Sequence, residues 1–250
     1  MPVFHALLKK EFRALSQAPA TWVIWAVMML GQGFCISSSL KVFQQQALIE
    51  TVLFTSFNNQ FFWFFYFILF PLLTMKLFAE EERLGTMESL LTAPINLSWI
   101  LISKFLAAYL WYLILWIPSV IAMLIISLTP SLKNVFLFED VIAVYLLIGI
   151  MGVSFVAWGC LCSSLSKHQV LAGIYCLLGL ISHHFIGWTS HIWGSFFQAS
   201  EFLDFLSSRW HIQVASQGLI SFDSWFYFIS CGVIILMITY YHLNLKRLKR

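Results

Sequence analysis

Three histidines, His183, His184 and His191, cluster near the end of one apolar run and are the residues best suited to bind a metal or haem. His184 and His191 would share a face of a helix, whereas the adjacent His183 would face another side. A metal site needs three or four converging ligands, and no nearby cysteine or acidic pattern completes one. The sequence leaves a metal site open but favours histidines at a membrane interface.

The same region offers serines that could act as nucleophiles if a histidine base lay beside them. Ser154 and Ser182 fall within apolar runs, and His183 and His184 follow Ser182 directly. A nucleophile needs a base within hydrogen-bonding reach, but neither Gly-x-Ser-x-Gly nor His-Glu-x-x-His occurs. The sequence therefore gives little support to an intramembrane protease or acyltransferase.

Cysteine patterns and phosphate loops give no further chemistry. All five cysteines lie in apolar runs, and Cys160 and Cys162 lack the two-residue gap of a redox or zinc pair. We interpret the five as small packing residues. No Gly-x-x-x-x-Gly-Lys-Ser/Thr phosphate loop occurs either. We therefore expect no cofactor on this chain.

The composition predicts the kind of elements that position these residues. Of 250 residues, 60% are hydrophobic and 10% are charged, and the mean hydropathy is +0.86. Soluble domains are about half apolar and about a quarter charged, so an ordinary soluble enzyme and a disordered chain are both excluded. The net charge of +3 is too small to indicate a nucleic-acid partner. The expected class is an all-α membrane protein.

Six stretches are predicted to be transmembrane helices, each of which needs roughly 20 mainly apolar residues. Leucine and phenylalanine dominate them, and the alternation typical of membrane strands is absent. We expect a single membrane domain over residues 1–250. The predicted spans cover about 20–40, 57–77, 105–128, 141–162, 170–188 and 225–243.

The basic residues predict the orientation, because lysine and arginine are enriched in cytoplasmic loops. Only three of the 14, Lys41, Lys133 and Arg209, lie in the loops after spans one, three and five. The others lie at the two chain ends and in the loops after spans two and four. We therefore expect a multi-pass protein of the plasma (inner) membrane with both termini cytoplasmic.

The first residues read as an amphipathic helix that ends or bends at Pro19. Its apolar residues follow helical spacing and its cations lie off that stripe. Such a helix would lie flat on the inner leaflet, with its cations near anionic headgroups. A simple basic flank of the first span is the alternative. The membrane-surface residues are Lys9, Lys10 and Arg13, and the apolar stripe is Phe4, Leu7, Leu8, Phe12 and Leu15.

The loop after span two combines an acidic run with a short helix. We expect span two to continue as a helix into Glu80 and Glu81, and Gly85 to break it. Thr86 would cap the next helix through its hydroxyl, and Pro94 would close that helix. The alternative is a surface turn with solvated acids.

One face of this short helix is apolar and carries Met87, Leu90 and Leu91. Glu88 lies in its first turn, where the helix dipole favours an anion. A capped helix of this length is not stable alone, so its apolar face is predicted to need a protein partner.

Two other segments are predicted from composition. Residues 189–224 are rich in phenylalanine, leucine and tryptophan, which favours short helices at the outer interface. Small residues give span four a face for close helix approach, either within the chain or with another subunit. These small residues are Gly149, Gly152, Gly159 and Ser163.

One longer pattern contains the loop: a Pro-containing apolar span, Thr-Met, an acidic-basic stretch, Gly-Thr, Glu, Leu-Leu, Pro and a later Lys-Phe pair. It resembles the membrane subunits of ABC-2-type transporters, most closely the permeases of gliding-motility or nitrous-oxide-reductase-accessory type. Weaker similarity covers Ser163-Ser164-Leu165, His211, Gly218 and the last span. The matching residues are Pro71, Thr74, Met75, Glu80, Glu81, Arg83, Gly85, Thr86, Glu88, Leu90, Leu91, Thr92, Pro94, Lys104 and Phe105.

The resemblance implies a transport subunit that is not itself an enzyme. Two permease subunits, identical or different, would pair in the bilayer, and separate ABC ATPase subunits would carry ATP and Mg²⁺. The helix after span two would be the cytoplasmic coupling helix, with an N-terminal in-plane helix and short outer helices between spans five and six. The residues assigned to ATPase coupling are Glu80, Glu81, Arg83, Gly85, Thr86, Met87, Glu88, Leu90, Leu91 and Pro94.

Three functions are therefore weighed: an ABC exporter permease, an intramembrane enzyme, and a membrane assembly factor for a metalloenzyme on an ABC-like scaffold. The near absence of charge within the spans argues against an ion-coupled carrier, because such carriers place ionisable residues in the membrane. The exporter permease is the favoured hypothesis. Metal in the purified protein would instead favour the assembly factor.

Overall fold

A computed structural model describes residues 2–45, 52–128, 138–193, 200–219 and 221–248. Every regular element in those ranges is an α-helix, which confirms the all-α class. In chain order the helices are α1 (Pro2–Gln17), α2 (Pro19–Gln45), α3 (Val52–Phe57), α4 (Gln60–Thr74), α5 (Ala79–Arg83), α6 (Thr86–Thr92), α7 (Leu97–Ser127), α8 (Phe138–Leu165), α9 (Gln169–Trp193), α10 (Ser200–Leu206), α11 (Ser208–Ala215) and α12 (Phe222–Leu248).

Five of these helices, α2, α7, α8, α9 and α12, are long and apolar enough to cross a membrane within the described ranges. They correspond to the predicted spans one, three, four, five and six. The predicted second span corresponds to α4, which has 15 residues and is about 22 Å long. A bilayer's hydrocarbon core is about 30 Å thick. The multi-pass helical class is therefore shown, and the count of six spans stays a prediction.

The prediction that span two runs on as a helix into the acidic run is wrong, since α4 ends at Thr74 and residues 75–78 form a turn. In a continuous helix the amides of Phe78 and Ala79 would donate to carbonyls four residues earlier. Here both donate to the Ser163 hydroxyl, at 2.9 and 3.1 Å. That hydroxyl in turn donates to the Met75 carbonyl at 3.1 Å. Ser163 of α8 therefore fixes the turn between α4 and α5.

An aromatic core joins α4, α7 and α8. Tyr66 and Tyr112 are fully buried, and their hydroxyls are 3.4 Å apart. The Tyr112 hydroxyl donates to the Ile148 carbonyl at 2.7 Å, so that a buried polar group is satisfied. The ring of Phe70 lies 5.2 Å from that of Tyr112 and 5.3 Å from that of Phe155. This cluster positions α4 between the two longer helices.

The small residues of α8 pack within the chain. A Cβ at Gly152 would overlap the ring of Tyr112, and a Cβ at Gly159 would overlap the side chain of Thr74. Close approach of helices through small residues is common in membranes. Of the two alternatives left by the sequence, packing inside one subunit accounts for Gly152 and Gly159.

The segments predicted to be cytoplasmic meet at one end of the bundle. Helix α1 ends at Gln17 and α2 begins at Pro19, as the sequence predicts. Lys104 of α7 contacts both α1 and α5, and Lys246 of α12 contacts the end of α8.

Short helices α10 and α11 separate α9 from α12, as predicted, and Ser207 between them donates to the His184 carbonyl at 2.9 Å.

Gly159→Ala is expected to destabilise the protein, because the new methyl group would collide with Thr74 in the packed α4–α8 contact. Overpacking of this kind costs about 1–3 kcal/mol. The matched control is Gly33→Ala in α2, where no heavy atom lies within 4 Å of the added carbon. Thermal unfolding of the detergent-solubilised protein measures the difference. Equal midpoints for the two variants would contradict the close packing.

Candidate functional site

The candidate site is the cytoplasm-predicted segment formed by α5 and α6, residues 79–92. Gly85 separates the two helices with φ of 71°, a left-handed conformation that glycine adopts without strain. The break predicted at Gly85 is therefore confirmed. Helix α6 ends at Thr92, two residues before Pro94, as predicted.

Thr86 does not have its predicted capping role. It is the first residue of α6, Gly85 occupies the N-cap position, and no side chain caps the helix. The Thr86 hydroxyl instead donates to the Glu81 carbonyl at 3.4 Å. Glu88 lies in the first turn, where its carboxylate suits the helix dipole.

The apolar face of α6 is turned into the chain's own core. Met87 and Leu91 are each 2% exposed, and Leu90 is half-buried against the same core. The prediction that this face needs a separate protein partner is therefore wrong for Met87 and Leu91, because the bundle itself covers them. The exposed residues of the segment are Arg83, Leu84, Gly85, Thr86, Glu88, Ser89 and Thr92, and Pro94 just beyond it is exposed as well. Leu84, 63% exposed, is the large apolar side chain among them.

A buried ammonium holds this segment against the bundle. Lys104 of α7 is 3% exposed, and its Nζ lies 2.9 Å from Glu81 Oε1 and 3.1 Å from Glu11 Oε2. It also lies 5.4 Å from the centre of the Phe78 ring. A buried cation is tolerated when paired with carboxylates that hydrogen-bond to it. Lys104 therefore joins α1, α5 and α7 at one point.

Sequence reasoning missed this role for Lys104. Lys104 counted there as a cytoplasmic flanking charge and as part of the Lys-Phe pair. The sequence does carry one sign that Lys104 is buried: it lies in the run Leu101–Phe105, whose other members are apolar or small. A lysine on the inward face of such a helix needs an acidic partner, and the acidic run supplies it.

The other two acids of the run have separate contacts. Glu82 Oε2 lies 3.6 Å from Lys246 Nζ, and Lys246 donates to the Ser164 carbonyl at 2.8 Å. The segment is thereby tied to α12 and to the end of α8. Glu80 pairs with Arg83 at 3.9 Å, but both side chains are well exposed. Such an exposed pair contributes little to stability.

The N-terminal helix meets the site through the face opposite its cations. Lys9, Lys10 and Arg13 are exposed, as the sequence predicts for residues at a membrane surface. Phe12 stacks on Trp111 of α7 with ring centres 5.6 Å apart, and the Trp111 indole donates to the Phe12 carbonyl at 3.4 Å. Helix α1 is thus docked on α7, and its contact with lipid stays a prediction.

His183 and His184 lie in the part of α9 that is far from the α5–α6 segment, and they contact different neighbours. His183 Nε2 lies 2.9 Å from the Tyr227 hydroxyl, whereas His184 Nδ1 lies 3.5 Å from the Ser208 hydroxyl. His211 of α11 contacts the Ser224 hydroxyl through Nδ1 at 2.7 Å. Among the side chains that the structure describes, no three histidine, cysteine or acidic groups converge as metal ligands. The side chain of His191 lies outside the described residues.

This bundle of long apolar helices, tied together at one end by buried ion pairs, is that of an integral multi-pass membrane protein. A family model described as "ABC-2 family transporter protein" matches residues 5–244, so the chain belongs to this family of ABC transporter permeases. The family match includes every residue of the α5–α6 segment. No curated protein gives a significant match.

Lys104→Met is expected to loosen the site, because it leaves the carboxylates of Glu11 and Glu81 without their shared cation. Removing one partner of a buried ion pair costs roughly 3–5 kcal/mol. Unfolding of the purified permease and protease sensitivity of residues 79–92 measure the effect. The control Arg83→Gln, which removes only the exposed pair with Glu80, should change stability by less than about 1 kcal/mol. Similar losses in both variants would contradict the central role of Lys104.

His211 of α11 is buried between α10 and α12, and this burial lowers its pKa to about 4. A neutral histidine with a depressed pKa stabilises its docked state above its free pKa of about 6.5 and loses that contribution as the pH falls towards 4. Opening of α11 should therefore rise by up to about tenfold per pH unit in this window. Hydrogen exchange of residues 208–215, corrected for intrinsic rates, measures it. His211→Gln should reduce this pH dependence, and an unchanged dependence in that variant would contradict the assignment.

Proposed function

We propose that this permease subunit belongs to an exporter and takes its energy from a separate ABC ATPase that docks on the α5–α6 segment. The observation that carries the proposal is the joining of that segment to α1, α7, α8 and α12 through Lys104, Lys246 and Ser163. A force applied to the exposed side of α5 and α6 would reach all four helices. The family match supports the transporter class.

The docking surface proposed here differs from the one that the sequence suggests. Met87 and Leu91 are already buried in the permease, so they support α6 from behind. Leu84 would enter the ATPase, and burial of one large apolar side chain contributes about 1.5–3 kcal/mol. Glu88, Arg83 and Thr92 would surround it and set the register, since exposed charge pairs contribute at most about 1 kcal/mol each.

The rest of the proposed assembly follows the family resemblance. Two permease subunits, identical or different, would pair in the plasma (inner) membrane with both termini cytoplasmic. ATP and Mg²⁺ would be bound by the ATPase subunits. The exporting direction is proposed from the resemblance of the sequence pattern to gliding-motility and nitrous-oxide-reductase-accessory permeases.

Leu84→Asp is expected to reduce ATPase binding about tenfold or more, because it places a charge at the buried centre of the contact. The permease is co-expressed with candidate ABC ATPase subunits of its own organism, and their co-purification and ATP turnover in bilayers are measured. The matched control is Leu248→Asp, since Leu248 is a 75% exposed leucine at the end of α12 and is not part of the α5–α6 segment. Full retention of the ATPase by the Leu84→Asp variant would contradict the proposed contact.

A further inference from the structure

A cavity of about 440 Å³ lies between the long helices α8, α9 and α12. It is a different region from the α5–α6 segment. Most of its surface is apolar, and its lining residues carry no formal charge apart from what His183 acquires on protonation. The wall is formed by Ser154, Phe155, Trp158, Gly179, Leu180, Ser182, His183, Phe228, Cys231 and Ile235.

Two polar atoms of this wall are buried without a hydrogen-bond partner among the described residues: Trp158 Nε1 and His183 Nδ1. A buried polar group without a partner costs about 1–3 kcal/mol, so native proteins leave few of them. Both serines of the wall are satisfied, since Ser154 and Ser182 donate to carbonyls of their own helices. The unsatisfied hydrogen-bonding capacity is thus confined to one indole and one imidazole.

The hydrogen bonds around His183 define which of its ring nitrogens donates and which accepts. The Tyr227 hydroxyl donates to the Leu206 carbonyl at 3.2 Å, so its oxygen accepts from His183 Nε2 at 2.9 Å. The proton of the neutral imidazole therefore lies on Nε2, and Nδ1 is an acceptor. Trp158 Nε1 is a donor only.

The two atoms also lie along one stretch of the α8–α9 contact. Gly179 lies against the Trp158 indole, and His183, one turn further along α9, has its ring 5.4 Å from that of Phe155. Gly179 is required there, because a Cβ would overlap the indole. A ligand whose polar group lay between Trp158 and His183 would find a donor and an acceptor in apolar surroundings.

We propose that this cavity binds an uncharged, long-chain alcohol, an apolar molecule whose hydroxyl accepts from Trp158 Nε1 and donates to His183 Nδ1. A hydroxyl is the small group that both donates and accepts. A carboxylate or ammonium would lack a counter-charge in the wall and would be costly to bury. The apolar chain would lie against Phe155, Phe228 and Ile235.

The experiment uses the full-length permease in lipid bilayers without any ATPase and a diazirine-bearing hexadecanol as the photoreactive probe. Labelled peptides are mapped, and the label is competed with hexadecanol, hexadecyl methyl ether or hexadecane. The ether accepts from Trp158 but cannot donate to His183. We expect labelling of α8, α9 and α12 and competition in the order alcohol, ether, alkane, with steps of about twofold to tenfold for each hydrogen bond.

Trp158→Phe removes the donor and keeps an aromatic ring, so the ether should compete no better than the alkane while the alcohol keeps an advantage. Trp25→Phe is the control, because the Trp25 Nε1 is also buried without a partner but does not line this cavity. It should preserve the wild-type order. Equal competition by all three compounds in the wild-type chain, or labelling outside the cavity peptides, would overturn the proposal. Because no ATPase is present, this result is independent of the proposed docking on α5–α6.

A second arm separates a resident membrane alcohol from a transported one. Addition of an associated ATPase with ATP should reduce the label if the alcohol is cargo and leave it unchanged if it is a bound lipid. Either result supports the site.

Discussion

One buried ammonium group constrains the whole cytoplasm-predicted end of this permease. Lys104 lies on an inward face of α7, 3% exposed, and has two carboxylates within 3.1 Å. An unpaired charge in such surroundings is prohibitively costly, so Glu11 and Glu81 must stay beside it. Lys104 therefore anchors both α1 and α5 to the long apolar helix α7. The acidic segment cannot then be a loosely solvated turn.

The consequence for function is a division of labour within the α5–α6 segment. Its inner side, formed by Glu81, Met87 and Leu91, is used to fix it to the bundle. Its outer side, around Leu84 and Glu88, is exposed. A segment rigidly joined to four helices is suited to pass displacement into the bundle, which a flexible loop would absorb. The proposed ATPase contact uses this exposed side.

Patterns within one segment were predictable from the sequence, and contacts between distant segments were not. Apolar runs predicted the long helices, Gly85 and Pro94 predicted the limits of α6, and aromatic composition predicted helices between α9 and α12. The end of α4 at Thr74 was missed because it depends on Ser163, which is 89 residues away in the chain. The burial of Met87 and Leu91 was missed for the same reason, since periodicity shows that a face is apolar but not what covers it. The structural role of Lys104 could not be predicted because its two carboxylate partners lie on two other helices.

A double-mutant cycle between Glu81 and Lys104 tests most directly whether the buried ammonium holds the α5–α6 segment. Unfolding free energies are measured for the wild type, Glu81→Gln, Lys104→Met and the double variant in the same detergent. If Lys104 holds Glu81 in place, we expect a coupling of about 1.5–3 kcal/mol, the range for hydrogen bonds to charged groups. The double variant should then lose less stability than the sum of the two single losses. Effects that add within about 0.5 kcal/mol, as for independent sites, would show that the ion pair does not hold the α5–α6 segment.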